Sequence, residues 1–477
     1  MEQLVSDIGQ NTGLFTLIVT GMILLIVESA RGTRPVVSYY VSIFGLLLSL
    51  SFFIMDFSLE SQSFYGMIQT GAFANFFNIL FVIACLLSVV YSRYYLQKLN
   101  YHRGELYVLL ILSTVGMSLI ASASDLIILF LGIELMSLAL YVLVGFVRNL
   151  EKKNEASLKY FLLGAFATGF LVYGIALIYG ATGTTNINSL SSVYKAGTTS
   201  LLFLSGILLL FSALAFKSAA VPFHMWAPDV YEGAPTPITG FMSTAAKAAA
   251  VSAFITIFIR TFSFAGTKTS EIIAIVSVAS MILGNVVAIA QNNIKRMLAY
   301  SSIAHAGYML VGISAGSVEG KIGVMFYIAV YAIMNLGAFA VVGLLERENE
   351  NNLLIEDYSG LGKTKPFLAA LMAIFMFALT GLPPFAGFFG KYYVFVSAIK
   401  ANMTWLAIVG VLASLVSAYY YLRVVVIMYF RDAQSEIQKD TLFMPKIVLL
   451  SIFICALAVL ILGIFPSLIV NIALQSN

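Results

Sequence analysis

Apolar runs long enough to cross a lipid bilayer recur along the whole of this 477-residue sequence. An α-helix rises 1.5 Å per residue, so about 20 apolar residues cross the hydrocarbon core of a membrane. With 60% hydrophobic and only 10% charged residues, the chain is unlike a soluble domain. The sequence therefore predicts an all-α polytopic membrane protein, a single membrane domain over residues 1–477 with about 14 transmembrane helices. The predicted spans are centred near residues 13–27, 36–54, 72–92, 106–123, 126–147, 156–180, 200–220, 236–259, 272–291, 298–316, 322–345, 366–398, 403–428 and 447–470.

The distribution of basic residues predicts how these helices are oriented. With fourteen helices, the odd-numbered connections carry 16 lysines and arginines and the even-numbered connections carry 5. Because cytoplasmic loops are enriched in Lys and Arg, the odd-numbered connections are expected in the bacterial cytoplasm and both termini on the periplasmic side of the inner membrane. Topology accounts for these residues, so no nucleic-acid partner is expected. The 16 are Arg31, Arg34, Arg93, Lys98, Arg103, Arg148, Lys152, Lys153, Lys295, Arg296, Arg347, Lys363, Lys365, Arg431, Lys439 and Lys446, and the 5 are Lys195, Arg260, Lys268, Lys321 and Lys400.

Neither a signal peptide nor a cysteine-based site is expected. The N-terminus contains Glu2 and Asp7 and lacks a basic n-region, so the first helix is expected to be retained. Cys85 and Cys455 lie singly in apolar runs, without a CxxC pattern or other potential ligands nearby. Because free cysteine behaves as a small hydrophobe, we interpret both as packing residues and predict no metal site.

Prolines predict that two of the helices are broken. Six of the ten prolines fall in two segments, around Pro222 and at Pro383-Pro384. Proline interrupts a helix, and the freed backbone groups are tolerated in a membrane only where protein or water satisfies them. The two breaks fall in predicted helices seven and twelve, five apart, so a repeated five-helix unit would enter the membrane from opposite sides. This predicts two inverted repeats with one broken helix in each. The predicted boundaries are three N-terminal helices in 1–100, repeats in 104–262 (helices 4–8) and 271–430 (helices 9–13), and a C-terminal helix in 446–470.

Four ionisable residues, Glu134, Lys217, Lys247 and Lys391, lie inside predicted spans. A charge at the centre of a membrane helix costs roughly 2.5–3.5 kcal/mol, so such residues usually serve substrate or proton paths. A hydrogen-bonded packing role for the carboxylate, or lysines that snorkel to the interface, are the alternatives. Lys217 lies beside the first break, and alanines flank Lys247, so snorkelling is unfavourable there. We interpret the four as proton-transfer residues.

Three further residues are weaker candidates for a proton relay. Lys159 lies near the start of its predicted helix, where snorkelling is ordinary. His224 and His305 lie at membrane depth and titrate near neutral pH, although a hydrogen-bonded core histidine is the alternative for each. Asp229 and Glu232 are expected to cap or tether the end of helix seven.

Two motifs carry a resemblance to a known family. Trp226-Ala-Pro-Asp-Val-Tyr-Glu-Gly-Ala-Pro-Thr-Pro237, followed by Lys247 in an alanine-rich helix, closely resembles subunit N of bacterial NADH-quinone oxidoreductase, respiratory complex I. The segment from Lys295 to Tyr308, which contains His305, is similar to one shared by the antiporter-like subunits and the Mrp-type cation/proton antiporters. The resemblance covers about residues 100–430, and lysine rather than glutamate at 391 favours subunit N over subunit M.

The resemblance implies roles for the candidate residues. Glu134 would pair with Lys217, Lys247 would be the central proton carrier, Lys391 the proton site toward the exit, and Lys159 a matching lysine on helix six. A shift of Glu134 relative to Lys217 would then change whether this lysine holds its proton, because a nearby carboxylate favours the charged amine.

The resemblance also implies what lies outside this chain. Flavin, iron–sulfur clusters and quinone would belong to other subunits, leaving no cofactor here, and the partners would be other membrane and peripheral subunits of complex I, including other antiporter-like subunits. The alternatives are a stand-alone Mrp-type antiporter subunit, a non-pumping membrane scaffold, and a chloroplast or cyanobacterial relative that uses ferredoxin.

Overall fold

The computed structural model describes residues 2–30, 35–147, 151–195, 200–262, 268–347, 352–432 and 445–476. Within these ranges, eleven helices are long and apolar enough to cross a membrane. The chain is therefore a multi-pass membrane protein, as its composition predicts, while the count of fourteen crossings remains a prediction. Of the residues behind the predicted orientation, Arg31, Arg34, Arg148 and Lys439 lie outside the described residues.

The N-terminal half of the chain is helical apart from one small hairpin. Strands β1 (Ser61–Ser63) and β2 (Ile68–Thr70) pair antiparallel, with Ser61 opposite Thr70, in the connection between two helices. The helices of this half are α1 (Glu2–Gly9), α2 (Thr12–Ser29), α3 (Pro35–Met55), α4 (Ala72–Lys98), α5 (Glu105–Ala121), α6 (Leu126–Val144), α7 (Glu151–Thr182), α8 (Ile187–Lys195), α9 (Leu201–Ser218), α10 (Trp226–Gly233) and α11 (Thr236–Thr261).

The C-terminal half is also helical. Its helices are α12 (Lys268–Ile289), α13 (Ile294–Ser314), α14 (Val318–Leu345), α15 (Leu361–Thr364), α16 (Pro366–Thr380), α17 (Ala386–Lys400), α18 (Thr404–Phe430), α19 (Lys446–Ile464) and α20 (Ser467–Leu474). A short 3₁₀ turn, Ile355–Tyr358, precedes α15. The predicted C-terminal helix 446–470 is therefore two helices, because Pro466 cannot continue the hydrogen-bond ladder of α19.

Both breaks expected from the prolines are present. Helix α9 ends at Ser218 and α10 begins at Trp226, with Pro222 in the non-helical segment between them. Helix α16 ends at Thr380 and α17 begins at Ala386, with Pro383 and Pro384 between them. Each predicted repeat thus contains a helix interrupted at the expected prolines, and the repeats themselves stay a prediction.

Glycines bring the helices that carry the candidate residues into close contact with their neighbours. A Cβ at Gly132 of α6 would lie 2.8 Å from the carbonyl oxygen of Gly116 of α5. A Cβ at Gly284 of α12 would lie 2.6 Å from the backbone nitrogen of Ala304 of α13. Small residues allow the backbones of membrane helices to approach this closely. Helices α6 and α13, which carry Glu134 and His305, are thereby held firmly in the bundle.

Candidate proton-transfer site

Three of the four predicted ionisable residues are buried in the helix bundle. Lys217 is 8% exposed, Lys247 1% and Lys391 5%, whereas Glu134 is partly buried. Among the described residues, none of the three lysine amines has a carboxylate oxygen within 4.0 Å. Burying an unpaired charge is costly, so these amines lie where a change of protonation state matters most.

Glu134 and Lys217 lie near each other but do not form the direct ion pair that the resemblance implies. The Lys217 amine donates to Ser137 Oγ (2.7 Å) and to the Tyr141 hydroxyl (3.4 Å). The Glu134 carboxylate accepts from Thr168 Oγ1 (2.6 Å) on α7. Through its contact with Ser137, the Lys217 amine lies within about one helical turn of Glu134. Because Ser137 follows Glu134 by three residues on α6, it presents a hydroxyl on the same helix face.

Lys247 lies directly after an irregular turn of α11. Residues Met242–Ala246 form a π-helical segment, a feature that often marks functional sites. The Lys247 amine donates to both the backbone oxygen and the hydroxyl of Ser302, each at 2.5 Å. Within the π segment, Ser243 accepts from the Asn335 amide (2.8 Å), which anchors α11 to α14. The lysine is thus aimed at α13 from a fixed backbone.

His305 lies in the same buried region as Lys247 and Lys391. Its Nδ1 is 2.8 Å from the Tyr327 hydroxyl and its Nε2 is 3.0 Å from the Tyr421 hydroxyl. The ring of Tyr331 lies 4.9 Å from the imidazole and 5.7 Å from the Lys247 amine, and the ring of Tyr308 lies 5.8 Å from the imidazole and 4.9 Å from the Lys391 amine. The imidazole is therefore fully hydrogen-bonded, as a core histidine would be, and it also connects the surroundings of the two amines.

The Lys391 amine caps the C-terminus of α16, the helix that precedes α17, on which Lys391 lies. The amine donates to the backbone oxygens of Thr380 (2.8 Å) and Leu379 (3.3 Å) and to Ser414 Oγ (2.7 Å). The last carbonyls of a helix lack partners within it and attract a positive charge. Gly381 makes room for this contact, since a Cβ there would lie 3.3 Å from the amine and the residue has a φ of +88°.

Lys159 stands apart from these buried lysines. Its amine pairs with Glu155 (2.7 Å) and Asp229 (2.9 Å), and its side chain is 43% exposed. Asp229 and Glu232 of α10 both also accept from Arg296 of α13, at 2.8 and 2.9 Å. The two carboxylates therefore tether α10 to helices in both halves of the chain, which agrees with their predicted tethering role.

His224 lies in the first break, between α9 and α10. Its Nδ1 is buried and has no hydrogen-bond partner among the described residues. The break brings this ring into the protein, but none of the described hydrogen bonds connects it to Lys217 or Lys247.

Ion pairs lower the pKa values of the two tethering carboxylates, which lie between the membrane-spanning segments Leu201–Ser218 and Thr236–Thr261. Partial burial raises the pKa of Asp229, but Lys159 and Arg296 outweigh it and hold the pKa below its ordinary value of 3.8. Burial likewise raises the pKa of Glu232, and Lys152 and Arg296 lower it below 4.5. Both groups are therefore charged at neutral pH.

Comparison with known proteins places the chain in a family. A family model described as NADH:quinone oxidoreductase/Mrp antiporter, TM, matches residues 123–417. A relative from Trichlorobacter lovleyi, named NADH-quinone oxidoreductase subunit N, is 48% identical over 417 residues, which cover 87% of this chain and 85% of the relative. A relative from Chloroherpeton thalassium, named NADH-quinone oxidoreductase subunit N 1, is 46% identical over 454 residues, which cover 94% of each chain. The chain belongs to the subunit N family.

Solved structures agree with membership of the subunit N family. A chain of respiratory complex I from Thermus thermophilus superposes with a TM-score of 0.84 at 32% identity, over 96% of this chain and 98% of that one. A chain of the Mrp complex from Dietzia superposes with a TM-score of 0.85 over 98% of this chain and 96% of that one, but at 21% identity it supports only the fold. The resemblance read from the two sequence motifs is confirmed.

Several polar residues around the lysines were missed by sequence reasoning on this member of the subunit N family. Each lies in an apolar helix within hydrogen-bond reach of a candidate residue, but only Ser137 and Ser302 lie three positions from one in the sequence, so a local signal was available for these two alone. The missed residues are Ser137, Tyr141, Thr168, Ser302, Tyr327, Ser414 and Tyr421.

The described part of this subunit N relative offers little for metal binding. No group of three or more His, Cys, Asp or Glu side chains there lies close enough to hold a metal ion. Cys85 and Cys455 are both buried and free, as expected of packing residues.

The tether of α10 gives a testable stability effect. Arg296→Gln is expected to lower the free energy of unfolding by about 1 kcal/mol, since it leaves Asp229 and Glu232 without one shared partner in a partly solvated site. Because the pKa values of both carboxyl groups are lowered in the folded state, the difference should be present at neutral pH and vanish as the pH falls through them.

Thermal unfolding of the solubilised protein, followed against pH, measures this effect. Lys363→Gln is the control, because its pair with Asp432 is exposed (71% and 91%). A pH-independent loss of stability in Arg296→Gln would show that the effect of Arg296 does not arise from these ion pairs.

Proposed function

We propose that this chain translocates protons across the bacterial inner membrane as a membrane subunit of NADH:quinone oxidoreductase. Electron transfer from NADH to quinone takes place in other subunits, which hold the redox cofactors, and both termini lie on the periplasmic side. The observation that carries the proposal is the set of lysines at 217, 247 and 391, which are buried inside predicted spans and whose amines have no carboxylate partner among the described residues. The two relatives described above are named as subunit N of NADH-quinone oxidoreductase, and this is why we propose NADH-to-quinone electron transfer as the reaction that drives translocation.

The partners of these amines suit proton carriers better than structural charges. A permanent ammonium in an apolar interior is normally balanced by a carboxylate, whereas hydroxyl and carbonyl groups give no compensating charge. A hydroxyl can donate to a neutral amine and accept from a charged one. Ser137, Ser302 and Ser414 each place such a hydroxyl within 2.5–2.7 Å of a lysine amine. A rotation of the hydroxyl hydrogen would accommodate the neutral amine; at Ser137 this rotation exchanges the present donation to the backbone oxygen of Ile133 (2.5 Å).

A series of aromatic and hydrogen-bonding contacts around His305 links the surroundings of Lys247 and Lys391 and supports proton movement between them. Lys247 binds Ser302, and His305 follows one turn later on the same helix. The imidazole contacts two tyrosine hydroxyls, and the ring of Tyr308 on α13 lies 4.9 Å from the Lys391 amine. Imidazole, hydroxyl groups and water molecules are the groups through which protons hop. We assign His305 the role of a relay between the two amines.

Glu134 is suited to control Lys217. The carboxylate is partly exposed on α6, where a neighbouring chain of the complex can reach it. A carboxylate near an amine favours the charged amine, and burial favours the neutral one. In this structure Lys217 binds Ser137 instead of Glu134. A movement of Glu134 toward Lys217 would make the lysine hold a proton, and a movement away would release it toward Lys247.

The relatives favour this function over that of a stand-alone Mrp-type antiporter subunit. Relatives at 46–48% identity over at least 85% of their length are named subunit N, whereas the likeness to the Mrp complex, at 21% identity, is one of fold. A non-pumping scaffold would have no need of three buried amines.

The coupling of Glu134 to Lys217 tests the proposal. Glu134→Gln and Lys217→Gln should each slow NADH-driven proton translocation, and the double variant should lose less than the sum, with a coupling of about 1 kcal/mol. Each single change leaves the partner's charge uncompensated at membrane depth. Ser137→Ala should change the coupling, because it removes the hydroxyl that the Lys217 amine binds in place of Glu134. Dye quenching in membrane vesicles measures the rates.

Glu105→Gln is the matched control, because Glu105 is exposed in the first turn of α5. If the losses of translocation rate in the two single variants added up to the loss in the double variant, Glu134 and Lys217 would not act as a pair. Wild-type rates in all the variants would contradict the proposed function.

A further inference from the structure

Two cations lie on the ring of Phe73 at the end of the bundle that carries the β1–β2 hairpin. Arg260 Cζ is 4.6 Å and Lys321 Nζ is 5.9 Å from the ring centroid. Lys321 is only 4% exposed, and its amine donates one hydrogen bond, to the backbone oxygen of Ser476 (2.7 Å). Arg260 makes no hydrogen bond or ion pair with the described residues. An ammonium has three N–H donors and a guanidinium five, so most of these donors are unused.

Arg260 lines two small cavities next to this ring. One of about 50 Å³ is bounded by Glu60, Phe73 and Ser476, among others. The other, of about 220 Å³, is bounded mainly by hydroxyl and amide side chains such as Asn188. Glu60 is the only carboxylate among the residues that line them. Lys321 lines neither cavity, but its amine lies 2.7 Å from the oxygen of Ser476, which lines the first. The two cations and Glu60 therefore leave a net charge of +1 around that cavity, which a singly charged phosphodiester would balance.

An apolar groove of about 430 Å³ begins one helical turn further along α4, at Phe76, and shares no lining residue with these cavities. Phe76, Leu80 and Ile83 of α4 line it, and their spacing of three or four residues places them on the same helix face as Phe73. From Phe73 to Ile83 the helix rises about 15 Å, half the thickness of a hydrocarbon core. The other walls come from α3, α14 and α20, including Ile472. The groove itself follows α4 from Phe76 to Ile83, about 10 Å, so that the path from the Phe73 ring to its far end matches the depth of one leaflet.

We propose that the two cations and this groove form a binding site for an anionic phospholipid. The phosphodiester binds between Arg260 and Lys321, and one acyl chain lies along α4 in the groove. A free phosphate ion would leave the groove empty, whereas a phospholipid satisfies both the charge and the apolar surface. Ile83 and Ile472, which line the groove, are 38% and 39% exposed, so lipid reaches it from the bilayer. The site does not include Lys217, Lys247 or Lys391, to which we assign proton transfer.

Phosphatidylglycerol retention by the intact complex tests the site. The complex is purified from variants of this chain, washed in detergent and reconstituted in nanodiscs containing equal amounts of phosphatidylglycerol and phosphatidylcholine. The double variant Arg260→Gln/Lys321→Gln should retain one phosphatidylglycerol fewer per complex than the wild type. The expected reason is that the affinity for this lipid falls about fivefold for each cation removed. Ile79→Trp should lose it as well by filling the groove, with both cations intact. Lys400→Gln is the control, because that exposed lysine, predicted to lie on the same membrane side, pairs with Glu319 (3.2 Å).

Mass spectrometry of retained lipid and a cryo-electron microscopy map read the result. The proposal expects phosphate density at Arg260 and chain density along α4 in the wild type, both lost in the variants, while proton translocation in the variants stays at the wild-type rate. Equal retention in all variants, equal preference for phosphatidylcholine, or a segment of another subunit in the groove would overturn it. Because the readout is lipid, its failure would leave the proton-transfer proposal standing.

Discussion

Replacing Lys247 with alanine is expected to slow NADH-driven proton translocation by roughly a hundredfold or more, the usual effect of removing a positioned proton-transfer group. The amine is 1% exposed and bound only to Ser302 among the described residues. Its helix is fixed next to α13 by the π segment and by the bond from Asn335 to Ser243. Alanine leaves that packing in place but removes the titratable group that precedes His305. The proton path is then interrupted at its centre.

Inverted membrane vesicles with a pH-sensitive dye measure the rate, and NADH oxidation with an artificial electron acceptor verifies that the complex has assembled. Lys268→Ala is the control, because Lys268 is an exposed lysine at the start of α12. A wild-type rate in Lys247→Ala would show that protons do not pass through this amine.

Lys391→Gln should slow proton translocation to a similar extent without loss of stability. Glutamine retains an N–H donor for the carbonyls of Leu379 and Thr380 but cannot carry a proton at neutral pH. Lys391→Ala removes the donor as well, leaving buried helix-end carbonyls without it, so this variant should lose about 1–3 kcal/mol of stability in addition. Comparing Lys391→Gln with Lys391→Ala therefore separates the role of Lys391 in proton transfer from its role in capping the C-terminus of α16.

The same vesicle assay and the thermal stability of the complex read the two effects. Lys400→Gln changes the same residue type at the exposed end of the same helix and should affect neither. If Lys391→Gln translocated protons normally while Lys391→Ala did not, Lys391 would be a structural cap only.

Much of the fold follows from local sequence. Apolar length alone marks the helices, and prolines mark both breaks, because these properties act within one segment of chain. The hairpin Ser61–Thr70 and the split between α19 and α20 were not predicted. The first is a short polar connection without a strong hydrophobic pattern, and the second depends on Pro466 near the end of an apolar run.

The candidate lysines were predictable because charge in an apolar helix is conspicuous. Their partners were not, since a serine or tyrosine in a membrane helix is common and its role depends on which helix faces it. Ser302 matters only because α11 packs Lys247 against α13, and Ser137 because it takes the place of Glu134 at Lys217. The ion pair between Lys159 and Asp229 was likewise not predictable, because the two residues lie far apart in the sequence.

The most direct test of proton transfer through the buried lysines is the proton translocation rate of Lys247→Arg. Arginine keeps a positive charge and hydrogen-bond donors at this buried position but does not release its proton at accessible pH. If Lys247 carries protons, the assembled arginine variant should translocate them nearly as slowly as Lys247→Ala. A rate equal to that of the wild type would contradict the account, because a fixed charge would then suffice where we infer a proton carrier.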